Sequence, residues 1–302
     1  MAATKIKNLA ASVRQRLLNI AKQRRDEFDL ILARYALERF LYRLSVSPHG
    51  ERFLLKGALL FAVWGVDDHR PTRDADLLGS GDSDPAALAA VFREVCVVPC
   101  EDGIGFDPDS VAVAPIAEER VYSGVRVTLR AELSGARIPV QIDVGFGDAV
   151  TPAPEPVDYP VLLDAPAPKL RAYPVATVVA EKFHAMTVLG MDNTRMKDFY
   201  DLRVIAARFE IETGLLARAL AATFERRRTP LPAESPVALN AEFAADKAKQ
   251  AQWAAFLRRN RLDHMNHSLE ECQAAIAKLV LPALKHRIQT GRRISAGRVG
   301  DA

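Results

Sequence analysis

The sequence predicts an α+β chain, a small mixed sheet with flanking helices followed by an all-helical C-terminal part, on three observations. From about residue 104 to 147 apolar residues recur with period two, the spacing of strands that bury one face. Beyond Val175 the spacing becomes helical, as in Val178, Val179, Phe183, Met186 and Leu189. Between the two regimes lies a proline-rich stretch from Pro152 to Pro174, which sets a domain boundary: residues 1–150 form the first domain and residues 151–302 the second.

The elements follow in order. Residues 8–24 and 26–46 carry helical patterns, the second through Phe28, Ile31, Leu32, Tyr35, Phe40, Leu41 and Leu44, with Asp26 as its expected cap. Ser47-Pro48-His49-Gly50 ends the pair. Lys56-Gly57-Ala58 then heads a short apolar helix, and Asp74-Ala75-Asp76-Leu77-Leu78 reads as a strand. Residues 79–85 make a turn, with Asp84 capping a helix over Pro85–Val95. Val121–Leu133 and Ile138–Gly147 read as two strands joined through Ser134-Gly135-Ala136-Arg137. Further helices are expected over 175–189, from Arg195 with Asn193 or Thr194 as cap, and near 212–226, 240–260 and 267–289. The Arg226-Arg227-Arg228 run shows no legible chemistry.

Composition narrows the class. With 302 residues and 49% hydrophobic content the chain buries ordinary globular cores. Three cysteines form neither a disulfide framework nor a zinc ligand set, so Cys96 and Cys100 are expected to be small buried residues in a reducing compartment. No apolar run approaches the roughly 18 residues of a membrane span, and no signal peptide is evident, so a cytoplasmic location is expected. The net charge of +3 is modest but uneven. Lys5, Lys7, Arg14, Arg16, Lys22, Arg24 and Arg25 precede the first acid, and Lys278, Lys285, Arg287, Arg292, Arg293 and Arg298 crowd the other end. Such ends suit a phosphate backbone and equally suit solvated helix faces.

The chemistry concentrates between Lys56 and Asp76. On a strand, residues two apart face the same way, so Asp74 and Asp76 project together while Ala75 and Leu77 enter the core. Two such carboxylates make a hard oxygen site suited to magnesium. Gly57 at a helix start lets backbone N–H groups approach a phosphate, with Lys56 adding charge. Asp143, an acid inside an otherwise apolar strand, needs a partner or a metal and becomes the third carboxylate. Asp198 and Asp201, three apart, share a helix face. For Asp143 the plainer alternative is a strand-end acid meeting solvent, and for Lys182 a helix lysine whose stem lies along apolar surface.

Leu55-Lys56-Gly57, Arg70-Pro-Thr-Arg-Asp-Ala-Asp-Leu77, Gln141-Ile-Asp-Val-Gly-Phe-Gly147, Glu181-Lys182 and Arg195-Met-Lys-Asp-Phe-Tyr-Asp-Leu202 stand in one order. That order resembles the AbiEii/AbiGii nucleotidyltransferase toxins, including the MenT-like toxins of toxin–antitoxin and phage-defence systems. The resemblance implies a polymerase-beta-like core, completed by a helical domain, that transfers a nucleotide from a nucleoside triphosphate (NTP) to RNA. In some members the acceptor is the 3′ end of tRNA, which stops translation. It implies one or two Mg2+ ions on Asp74, Asp76 and Asp143, nucleotide binding by Lys56, Gly57, Thr72, Arg73 and Lys182, and catalytic roles for Asp74, Asp76, Lys182 and Asp198. A cognate antitoxin is a further implied partner. Asp201 is expected to serve capping or structure. Two rival readings are a nucleotidyltransferase acting on a small molecule or protein, and a non-catalytic relative that binds RNA or antitoxin.

Overall fold

The computed structural model describes residues 8–66, 70–116, 124–262 and 267–297, with side chains described as far as residue 286. The chain forms two compact units, and they do not divide at a single point. Residues 1–147 and 155–172 make the first, while 148–154 and 173–302 make the second.

In the first unit α1 (Leu9–Arg24) and α2 (Phe28–Val46) pack together. Asp26 does not cap α2: the cap position is Glu27, with no side-chain bond, because Arg25 ends α1 in a left-handed turn that carries the chain directly into the next helix. Then come β1 (Phe53–Lys56), a 3-10 turn over Gly57–Leu59 running into α3 (Leu60–Val63), β2 (Asp74–Gly79) and α4 (Pro85–Cys96). Asp84 caps α4 as expected, accepting from the Ala86 and Ala87 N–H groups. The strands β3 (Gly105–Pro115), β4 (Gly124–Leu133), β5 (Ala136–Phe146), β6 (Glu155–Asp158) and β7 (Lys169–Ala172) complete the sheet. Among the described residues its order is β3-β4-β5-β2-β1-β7-β6. The expected extension of β4 to residue 121 lies outside the described residues.

Ser134 and Gly135 form the whole β4–β5 connection, both at positive φ (48° and 80°), so the hairpin turns in two residues. This sets the register: Leu133 faces Ala136, and every residue of β4 pairs with the one equally far across the turn. One face of the central strands is apolar, with Leu55, Ala75, Leu77, Val127, Ile142 and Val144 all buried. On the same side of the core, Phe40 of α2 stacks on Phe92 of α4, and Phe92 meets Phe53 of β1 edge-on. The opposite face carries Lys56, Asp74, Asp76, Gln141, Asp143 and Arg126, with Leu54 facing Leu78 beyond Lys56 and Asp76.

Within the proline-rich stretch β7 pairs parallel with β1 and antiparallel with β6. Strands of four residues set among prolines give too short a periodicity to read from sequence. A buried ionic group holds this return segment to α2. Arg39 donates to the Pro166 carbonyl, Glu38 accepts from the Leu162 N–H at 2.7 Å, and Arg43 grips Asp102 with two hydrogen bonds of 2.7 and 3.0 Å. Burial pushes the Glu38 carboxyl up to about 7, against the opposing pull of the Leu162 N–H and Arg39.

The second unit is helical: α5 (Val175–Leu189), α6 (Met196–Arg208), α7 (Thr213–Arg226), α8 (Ala241–Ala245), α9 (Lys247–Arg259) and α10 (Leu269–Gly297). The single helix expected over 240–260 is two, broken at Asp246, whose carboxylate caps α9. The cap position of α6 is Arg195 rather than Asn193 or Thr194, with Asn193 Oδ1 accepting the Arg195 N–H in a turn just before it. Arg227, from the run that showed no chemistry, pairs with Asp148 at 2.9 Å and with Glu181 at 3.5 Å. Together with hydrogen bonds between Thr151 and Thr177, it fastens residues 148–154 to this unit. Among the described residues no helix is long and apolar enough to cross a membrane.

Candidate active site

In the first unit the pairing of four strands draws the predicted residues into one row. Lys56 on β1 faces Asp76 on β2, Asp76 faces Asp143 on β5, and Asp143 faces Arg126 on β4. Facing residues on neighbouring strands project to the same side, so the four form a line of two acids flanked by cations. Asp74, two residues before Asp76 and opposite Gln141, joins the same face. The expected split is observed, since Asp74 and Asp76 are half-buried while Ala75 and Leu77 are fully buried.

Gly57 follows Lys56 at φ 72°, a left-handed conformation that disfavours side chains. Its bare Cα also makes room for Asp76, for an added Cβ would fall 2.6 Å from Asp76 Cγ. Gly57→Ala is therefore expected to displace the Asp76 carboxylate, costing at least ~1 kcal/mol of stability and most of the catalytic activity. Thermal melting and initial rates check this; an active variant of unchanged stability would contradict it.

Thr72 donates its hydroxyl to the Asp74 carboxylate, which orients that acid. Arg73 points elsewhere, pairing with Glu27 at 3.1 Å in an exposed contact whose energetic weight is small. Asp67, Asp68 and His69, between Gly57 and Asp74, lie outside the described residues. Asp143 is held by Arg126 through Nε and Nη2, each 2.9 Å from a different carboxylate oxygen. Among the described residues no three His, Cys, Asp or Glu side chains are grouped closely enough to hold a metal ion.

In the second unit Lys182 of α5 reaches two acids of α6, Asp198 Oδ1 at 2.6 Å and Asp201 Oδ2 at 2.8 Å. Arg195 Nε also meets Asp198, at 2.7 Å. Asp198 is 1% exposed, Asp201 0% and Lys182 13%. Burial alone would raise the Asp198 carboxyl, but Lys182 and then Arg195 outweigh it and bring it down to about 2. Asp201 is thus a buried ion-pair partner, the structural of its two expected roles.

The sequence model of AbiEii, the nucleotidyl transferase toxin of a type IV toxin–antitoxin (TA) system, matches residues 39–275, which include both clusters. The chain belongs to the AbiEii family. It is accordingly a nucleotidyltransferase toxin, with an NTP as substrate and an antitoxin as the partner that the type IV system implies. JHP933 from Helicobacter pylori is a similar solved structure, with 14% identity, 86% of this chain and 94% of that one covered, and a TM-score of 0.48. A candidate nucleotidyltransferase from H. pylori is another, at 14% identity, 83% and 93% coverage and a TM-score of 0.47. No curated protein matches the sequence.

One residue of this AbiEii chain escaped the sequence reading, and so did the partner of another. Arg126 was legible in principle, since counting back from a two-residue turn at Ser134-Gly135 places it opposite Asp143. Asp201 was noted on the Asp198 face, but a three-residue spacing does not reveal that both acids meet one lysine of another helix.

Proposed function

We propose that this toxin transfers a nucleotide from an NTP to the 3′ hydroxyl of an RNA, tRNA in particular, and so halts translation in the cytoplasm. The observation that carries the reading is the row Lys56–Asp76–Asp143 with Asp74 beside it, an acidic strip bordered by cations on the polar face of the sheet. The donor set fits a divalent magnesium ion, because Asp74 and Asp76 offer hard carboxylate oxygens side by side and Thr72 orients one of them. Asp74 and Asp76 would hold the ion, with Asp143 next to them. When bound, it would neutralise phosphate charge and lower the pKa of a coordinated hydroxyl.

The chain's own groups supply the rest. Lys56 and the N–H groups at Gly57 bind phosphate oxygens, the glycine allowing close backbone approach. The RNA 3′ oxygen attacks the α-phosphorus, the bond to the β-phosphate oxygen breaks, and pyrophosphate leaves. Lys182 is assigned to the nucleotide and Asp198 to positioning Lys182, a role that their 2.6 Å contact supports. Arg73 is kept as a nucleotide contact, which requires it to leave Glu27. An RNA acceptor is supported by Arg14, Lys22, Arg24 and Arg25, all exposed along α1 and at its end. Lys5, Lys7 and Arg298 lie outside the described residues, as do the side chains of Arg287, Arg292 and Arg293.

Acceptor RNA oxidised with periodate tests the site of transfer. Incorporation of labelled nucleotide is expected to vanish when the terminal diol is destroyed and to return when a fresh 3′ hydroxyl is exposed. Equal labelling of oxidised RNA, or labelling of protein alone, would overturn the 3′ assignment.

A further inference from the structure

We propose that Arg126 is a built-in counter-ion for Asp143, a positioning residue that competes with the divalent cation for this carboxylate, so that metal loading and release of the Arg126–Asp143 pair are coupled. The inference rests on the metal reading above and adds a residue to it.

Asp76 and Asp143 face each other on neighbouring parallel strands, where like charges directly opposite are destabilising. Each acid has a cation facing it on its outer side, Lys56 for Asp76 and Arg126 for Asp143. The two cations are not equivalent in chemistry. Lysine is a point charge, whereas the Arg126 fork occupies both Asp143 oxygens in parallel bonds of 2.9 Å. A carboxylate gripped on both oxygens is a poor ligand until the fork lets go. The strand register brings Asp143 beside Asp76, so letting go of the fork would offer a third carboxylate there.

The pair is also built to open. Asp143 is 16% exposed and Arg126 36%, so the guanidinium sits at the polar surface of the sheet while its neighbours Val127 and Ile142 are buried. A fork at that depth exchanges its partner for water or phosphate at little desolvation cost.

The test is Mn2+ binding to the full, nucleotide-free chain at low ionic strength, followed by electron paramagnetic resonance. Six proteins are compared: wild type, Arg126→Gln, Arg126→Lys, Asp143→Asn, Arg126→Gln/Asp143→Asn, and Asp74→Asn/Asp76→Asn. Arg126→Gln is expected to tighten Mn2+ binding about tenfold or more, and the gain is expected to vanish once Asp143 is also replaced. Arg126→Lys, which keeps the charge but not the fork, should fall between wild type and Arg126→Gln, and serves if the glutamine variant melts early without metal. Unchanged affinity in Arg126→Gln overturns the inference, as does a gain that survives in the Asp143→Asn background. If wild type binds through Asp74 and Asp76 but ignores Arg126, the inference alone fails. If no variant binds Mn2+ in a way that depends on Asp74 and Asp76, the metal reading fails with it.

Discussion

Replacing Asp76 by alanine is expected to cut nucleotide transfer by roughly 10^2- to 10^3-fold while moving the melting temperature by no more than a few degrees. The size follows from the place of the acid at the centre of the row, where it faces Lys56 on one side and Asp143 on the other and lies against the bare Cα of Gly57. Asp76 would act through the cation it holds, and positive charge placed where phosphate charge develops is typically worth about two to three orders of magnitude in rate. The small stability change follows from the same geometry, since the substitution removes one of two facing carboxylates on a half-buried polar face. Initial rates and thermal melting of the same preparation check both halves. A collapse of the melting temperature would mark Asp76 as a structural acid.

The largest stability effect is expected at Lys182. Its ammonium sits between Asp198 and Asp201, which are 1% and 0% exposed, and Lys182→Ala leaves two carboxylates buried without the charge between them. Breaking a buried pair in this way costs about 3–5 kcal/mol. Urea unfolding measures it, and a loss below about 1 kcal/mol would contradict the account. Lys182→Met with Asp201→Asn, which restores the charge balance, is expected to recover part of the loss.

The same cluster gives a pH signature. Asp198 has a folded pKa of about 2, below the ordinary 3.8, so its contribution is complete above pH 4 and is lost as pH falls from about 4 to 2. For the nucleotide role, Lys182→Ala is the wrong probe, because unfolding and lost catalysis would look alike. Lys182→Arg keeps the charge, and a raised KM for NTP in a folded arginine variant is the outcome expected of a nucleotide contact.

Where a local rule decided the outcome, the sequence was enough to read it. The i, i+2 geometry put Asp74 and Asp76 on one face, the Asp84-Pro85 signature marked the start of α4, and Ser134-Gly135-Ala136-Arg137 marked the hairpin, although its last two residues already belong to β5. What escaped depended on partners distant in the chain. Both β6 and β7 are only four residues long, too short for alternation to stand out within a proline-rich stretch, and β7 is held because β1 offers an edge and because Glu38 and Arg39 catch the preceding loop. Asp143 was legible as an acid needing a partner, but the partner proved to be Arg126. The family motif singled out Lys182 and Asp198 but left open whether Asp198 serves Lys182 or Lys197 of its own helix, whereas the Lys182 contact comes from the packing of α5 on α6.

The most direct test of the central claim is incubation of the purified protein with Mg2+, total bacterial RNA and each α-labelled ribonucleoside triphosphate in turn, beside the Asp74→Ala/Asp76→Ala variant. The account predicts label in a tRNA-sized band with at least one nucleotide, and none with the variant. Label in that band with the variant as well, or no label in RNA with any nucleotide, would contradict it.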